Sequence, residues 1–197
     1  LNGSHSTIAY LGCLAGWDFV STAMSDPDLA AHVRALMDEE ITPTLKVPAG
    51  FDVTRYKDEL IARFLNPALK HRTQQIAMDG TQKLPQRLLN TIRERLARDQ
   101  SIDRLALGVA AWMRYATGRG EQGRTHQVND PLAAELARRG AEAGDDAARL
   151  AHAYAAMPAV FGTELPADPR FMAPVEAALA DLLALGAKAT LAKRRVA

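Results

Sequence analysis

The stretch Asp26–Glu40, D-P-D-L-A-A-H-V-R-A-L-M-D-E-E, decides the fold class. Leu29, Val33, Leu36 and Met37 recur at spacings that place them on one side of a helix. Asp26 is a good N-cap type, and Pro27, with φ already fixed and no N–H to lose, suits the first helical position. The same period extends both ways along the chain. Upstream, Ile8, Leu11, Leu14 and Ala15 share a face, with Ser4 as the expected N-cap. Downstream, Asp52 or Thr54 opens a helix carrying Leu60, Ile61 and Phe64. Asn66-Pro67 opens another, which Gly80 is expected to end. Pro85 fits the first position of a helix through Leu88, Leu89, Ile92 and Leu96, and Ser101 or Asp103 opens one with Leu105, Leu107, Val109 and Trp112. Asp130-Pro131, Asp145 and Asp168-Pro169 mark later starts. Gly140–Ala156 is alanine-rich, which favours helix. Thr125–Val128 is the one short segment with an extended character, and no run alternates as a strand would. The expectation is one all-α domain over residues 1–197 with about eight to ten helices.

Composition supports a packed domain: 48% of the 197 residues are hydrophobic and 24% charged. Twenty-four Lys and Arg against 23 Asp and Glu leave a formal charge of +1. The basic excess of a nucleic-acid or anionic-membrane binder is absent, and no basic recognition helix stands out. The single cysteine, Cys13, excludes an internal disulfide framework and a cysteine-only zinc site; it falls on an apolar helical run and reads as buried and inert. No apolar run approaches a membrane span and no secretory signal opens the chain, so a cytoplasmic setting is expected. Leu1-Asn2-Gly3-Ser4 reads as the interior of a longer protein.

Three motifs suggest chemistry. Gly118-Arg119-Gly120-Glu121-Gln122-Gly123 fits G-x-G-x-x-G. A dinucleotide site needs that turn between a strand and a helix, whereas here it follows a helical run ending near Tyr115, so it reads as a loop and not as a nucleotide fold. In Asn2-Gly3-Ser4-His5, a helix capped by Ser4 places His5 in the first turn with Asn2 just before it. The positive end of the helix dipole disfavours an imidazolium, and the Asn2 amide is suited to holding an alkoxide. On spacing alone the plainer reading is a loop asparagine and a histidine packed at a helix start. In the run His71–Arg87, H-R-T-Q-Q-I-A-M-D-G-T-Q-K-L-P-Q-R, one helix would put Arg72, Gln75 and Asp79 on a common face, with Lys83 just ahead of the helix opened by Pro85. A lysine there does not help the helix, which opens a ligand-facing role; the alternative is a polar face with Asp79 paired to Lys83 or Arg72. Trp17, Trp112 and Tyr115 read as core or interface aromatics. His32, His126 and His152 show no metal-ligand spacing, and the basic tail Lys188–Arg195 reads as a solvated helix end.

The ordered words L-N-G-S-H-S (residues 1–6), M-D-G-T-Q-K-L-P-Q-R (78–87) and L-A-L-G-V-A-A-W-M-R-Y (105–115), with Phe161-Gly162 and Gly186–Thr190, resemble the C-terminal domain of the mannitol dehydrogenase family, the polyol-specific long-chain dehydrogenases. The resemblance covers essentially the whole chain. It implies a multi-helical, 6-phosphogluconate-dehydrogenase-C-terminal-like substrate domain of a two-domain enzyme, whose own N-terminal Rossmann domain binds NAD or NADP and is absent from this chain. It implies no metal, no nucleic acid and no membrane partner. Asn2 and His5 match the asparagine and histidine of the family motif K-x-x-x-x-N-x-x-H; its lysine, the general base, would lie five residues before Asn2. Asn2 would hold the developing alkoxide and His5 the substrate hydroxyls, and Lys83 matches a lysine that contacts the polyol. Gln75 stands where mannitol 2-dehydrogenases carry arginine. The surrounding run is closer to the fructuronate reductase (D-mannonate oxidoreductase) subgroup, which implies a sugar acid, with Lys83 and Arg72 or Arg87 balancing its carboxylate. Alone, the segment is expected to lack dehydrogenase activity. The alternative within the family is a mannitol 2-dehydrogenase or another polyol dehydrogenase, and the competing reading of another class is a stand-alone helical interaction module.

Overall fold

The computed structural model describes residues 2–196; Leu1, the first residue of the family-like words, lies outside the described residues, as does Ala197. The described residues form helices and loops, with isolated bridges Phe19–Arg72 and Arg119–Thr125 in place of strands. The helices are α1 (Asn2–Ala15), α2 (Val20–Met24), α3 (Pro27–Ala35), α4 (Val53–Leu65), α5 (Thr73–Ala77), α6 (Gly80–Leu84) and α7 (Asn90–Leu96). They continue as α8 (Asp103–Ala116), α9 (Ala133–Ala143), α10 (Ala147–Ala155), α11 (Pro158–Phe161), α12 (Glu164–Ala167), α13 (Pro169–Leu185) and α14 (Ala187–Val196). Fourteen segments replace the eight to ten expected, because several runs break into pieces of four or five residues.

Helix α8 is the axis of the core. Leu105, Val109 and Trp112 are buried, but so are the residues between them, because α1 and α13 pack on different sides of it. Trp112 sits among Tyr154 and Phe161 at ring separations of 5.7 and 5.8 Å. Helix α14 turns back onto α3, and α10 packs on α13.

Asp26 caps α3 through Asp28 and Leu29 N–H, Asp52 caps α4 through Arg55 N–H, and Asp168 caps α13 through Arg170 N–H. Three expectations change. Helix α1 has begun by Asn2, so Ser4 is not its cap; it lies inside the helix, fully buried. The cap of α10 is Asp146, not Asp145. Gly80 does not end a helix, and Pro85 does not begin one: helical structure is continuous through α6, a π-turn over Pro85–Leu89, and α7. Proline has no N–H to donate, and the widened turn accommodates it, with Asn90 N–H reaching Pro85 C=O. Arg72, Gln75 and Asp79 therefore do not share one helical face.

Gly80 explains why this helix lies so close to the core. A Cβ on it would collide with the Trp112 indole nitrogen. At the other end, a Cβ on Gly3 would lie 2.5 Å from the Arg87 carbonyl oxygen, so α1 and the 85–89 turn touch backbone to backbone.

Candidate active site

His5 lies in the second turn of α1. The ring of Phe64, at the end of α4, stacks on it with centroids 5.0 Å apart, and the His71 ring lies 6.1 Å away at a tilt. Its Nε2 is buried and bonds to no protein group. Burial, then the positive surroundings of His71, Arg87, Arg63 and Lys83, hold the imidazole down to about 4. The expected neutral histidine is found, with desolvation and cations as the main cause.

Lys83 reaches this place through the local fold of Met78–Thr81. Asp79 adopts a left-handed conformation (φ 55°), which Asp tolerates better than most residues. Its N–H bonds Asn129 C=O at 2.9 Å, and Thr81 bonds Asp130 through its N–H (2.8 Å) and hydroxyl (2.6 Å). The kink lets Asp79 C=O receive Lys83 N–H at 3.0 Å and start α6. Lys83 thus projects from inside a helix, which removes the argument that it opposes a following helix start. Its Nζ lies 4.0 Å from Asp79 and 3.4 Å from the Ile76 carbonyl. Burial, then Arg87, lower its pKa below the usual lysine value. Arg87 Nη1 donates to Ser6 Oγ at 3.0 Å.

The structure therefore brings together His5, Lys83 and Arg87 of the residues singled out in the sequence. Asn2 is exposed in the first turn of α1, three residues before His5, on a neighbouring position of the same face. Gln75 is exposed on α5. Arg72 is not drawn in: it is exposed, and its guanidinium lies over the Phe19 ring, 5.5 Å from the centroid. Sequence reading missed Arg63 and Phe64, which belong to a helix with no motif, and His71, which opened the quoted run but carried no spacing signal.

The glycine loop is a staple. Gly118 and Gly123 have positive φ, and no helix follows. Glu121 Oε1 receives Ala187 N–H (2.5 Å) at the start of α14, and Arg119 donates to Gly144 C=O (2.9 Å) just past α9. The loop edges a groove of about 550 Å³ with Arg114 and Asp145, away from His5. Cys13 is half-buried and its thiol is pushed up to about 11 by burial. His32 is buried, His126 Nε2 lies 2.7 Å from Tyr115 C=O, and His152 lies 3.1 Å from Glu176. In the tail, Lys188 sits over Trp17 and Lys193 and Arg194 pair with Asp181. Among the described residues no helix is long and apolar enough to cross a membrane, and no three His, Cys, Asp or Glu side chains gather as metal ligands would.

Residues 1–183 match the mannitol dehydrogenase C-terminal domain, and the chain belongs to that family. It is similar to D-mannonate oxidoreductase of Escherichia coli K12, 44% identical over 98% of this chain and 39% of that protein. An uncharacterized oxidoreductase, YdfI, of the same organism is 48% identical over 100% of this chain and 40% of its own length. Among solved structures, the ternary complex of Pseudomonas fluorescens mannitol 2-dehydrogenase with NAD and D-mannitol superposes with a TM-score of 0.93 at 35% identity, over 100% of this chain and 39% of that one. The chain thus spans about two fifths of the length of these relatives.

Proposed function

We propose that this chain is the substrate domain of an NAD(P)-dependent dehydrogenase that interconverts a secondary alcohol and a ketone on an open-chain sugar acid such as D-mannonate and fructuronate. The observation that carries the reading is the neutral, unpartnered His5 set among Arg63, His71, Lys83 and Arg87. A site with this excess of positive charge suits a carboxylate-bearing substrate. The 44% identity to D-mannonate oxidoreductase, against 35% to the mannitol 2-dehydrogenase structure, points the same way.

In this reading the nicotinamide exchanges a hydride with the reacting carbon. The Gly118–Gly123 loop leads directly into no α-helix, so it is not a dinucleotide turn. The dinucleotide is assigned to an N-terminal domain outside this chain, and the proton-accepting base to the motif lysine ahead of Asn2. This chain's part is to hold substrate. Asn2 donates its amide N–H to the oxygen that becomes alkoxide, and His5 Nε2 exchanges a hydrogen bond with a neighbouring hydroxyl. Lys83 supplies a charged donor along the carbon chain. A cytoplasmic setting goes with this metabolic reading.

The second reading is mannitol 2-dehydrogenation, favoured by the close superposition on the mannitol-bound relative. The test is a screen of the intact protein with mannonate, fructuronate, mannitol and fructose against NAD(H) and NADP(H). Sugar-acid turnover with kcat/KM well above that for the polyol is expected. Preference for mannitol selects the second reading, and no turnover with any of the four favours the interaction module. The isolated segment should show no activity.

A further inference from the structure

We infer that Phe64, in the last turn of α4, is a positioning residue for His5: its ring covers one face of the imidazole and fixes the plane in which Nε2 is offered to a substrate hydroxyl. This role rests on the reading of His5 as a hydroxyl-binding group, and it is independent of which sugar carries that hydroxyl.

The two rings are stacked, with centroids 5.0 Å apart and planes 24° from parallel. The torsion that turns an imidazole about its Cβ–Cγ bond is broad, so a histidine offers its nitrogens in one direction only when something holds the ring. Commonly that is a hydrogen bond on the second nitrogen. At His5 the structure places an aromatic ring on one face and the tilted His71 ring 6.1 Å away, while Nε2 is buried and bonds to no described group. A stacked ring restrains the rotation and leaves Nε2 free for a ligand. It also displaces water from the face it covers, and lost hydration is the first cause of the lowered pKa of His5. The neutral imidazole then accepts at Nε2 or donates from it according to tautomer, either of which a hydroxyl can answer.

Phe64 is placed for this by its own helix. Asp52 caps the start of α4, and Leu60 and Ile61 are half-buried against the core. Lys57–Asp38 at 2.5 Å and the Arg34–Asp58 pair hold the helix to the α3 region. Asn66 ends it two residues beyond Phe64 and accepts Ala68 N–H at 2.9 Å. Phe64 is 4% exposed, whereas its neighbours Arg63 and Leu65 lie open. A peripheral helix thus buries a single aromatic side chain, and buries it on the His5 ring.

The test is a double-mutant cycle on kcat/KM of the intact protein, with D-mannonate and with D-mannitol, through Phe64→Leu, His5→Asn and the two combined. Phe64→Tyr is the conservative replacement, and Tyr56→Leu is a control on the same helix. Phe64→Leu keeps an apolar side chain at the helix end but removes the stacked ring. It should lower kcat/KM by about three- to tenfold, the size of one aromatic pair. The loss should be equal on both substrates, since each carries secondary hydroxyls. In the His5→Asn background it should add no further loss. Phe64→Tyr should restore the wild-type value, and Tyr56→Leu should leave it unchanged. The NMR midpoint of His5 should rise from about 4 toward the ordinary 6.5 in Phe64→Leu and hold in Phe64→Tyr. Where leucine is not tolerated, Phe64→Met makes the same comparison. A loss of the same size with and without His5 overturns the inference, because Phe64 then only secures α4. An unchanged kcat/KM in Phe64→Leu overturns it and leaves the role of His5 standing, and an unmoved His5 midpoint overturns it without any assay of turnover. If His5→Asn itself changes nothing, the reading of His5 fails and this one with it.

Discussion

Helices α8 and α4 are of similar length, fourteen and thirteen residues, and they are opposites. In α8 eleven residues are buried; in α4 only Lys57 and Phe64 are. Helix α8 is held by apolar packing on both sides, whereas α4 lies against α2 with Phe64 buried and Leu60 and Ile61 half-buried, and ion pairs tie it to the α3 region. The difference separates two jobs. The α1–α8–α13 core sets where α1 stands, and α4 is a peripheral helix whose Phe64 covers one face of the His5 ring.

The largest effect should fall on the core. Trp112, 1% exposed, fills the space between Tyr154, Phe161 and Gly80, so Trp112→Ala should cost about 3–5 kcal/mol in urea unfolding. Tyr56→Ala on α4, at 40% exposure, should cost about 0.5 kcal/mol or less. Equal losses would break the contrast between the two helices.

Next comes the first turn of α1. In the intact enzyme Asn2→Ala should lower kcat by about 10²–10³, more than it raises KM, because a donor to the developing alkoxide acts mainly in the transition state. An unchanged kcat would return Asn2 to the role of an ordinary exposed residue. Lys83→Met should then depress kcat/KM for mannonate by about ten- to a hundredfold and affect mannitol less. Equal losses would mean that Lys83 holds a hydroxyl common to both substrates.

The contrast also explains what could be read from the sequence. Asp-Pro caps announced α3 and α13, Asp52 with the apolar spacing announced α4, and apolar spacing announced α8, because capping and apolar period are local. Breaks inside helical runs were not announced. Nothing in K-L-P-Q-R says that the chain passes Pro85 as a π-turn, because Asn129 and Asp130, far along the sequence, fix the start of that helix. The site divided the same way. His5 and Lys83 sat in distinctive words, but Phe64 is one apolar residue on a helix without a motif, and only tertiary packing stacks it on His5.

A separate effect concerns pH. His32 is buried, and desolvation, then Arg104 and Arg194, hold its pKa near 3 in the folded protein. The unfolded chain takes up a proton near pH 6.5, while the folded one resists until about 3. The stabilising contribution is therefore complete above pH 6.5 and is lost as the pH falls through that window, at up to about 1.4 kcal/mol per pH unit. His5, whose shift is smaller, adds a similar slope over the narrower window between 6.5 and about 4. His32→Gln should flatten the acid side of a stability-versus-pH curve measured by urea unfolding; an unchanged slope would place the pH sensitivity elsewhere.

The charge character of the site is tested most directly by titrating His5 in the intact protein by NMR, with the resonance assigned through His5→Asn. Without ligand its midpoint should lie near 4. Saturating D-mannonate should raise the midpoint, because a carboxylate offsets the neighbouring cations, and D-mannitol should leave it in place or lower it. A free-protein midpoint near the ordinary 6.5, or the same shift with mannitol as with mannonate, would contradict a cationic site built for a sugar acid.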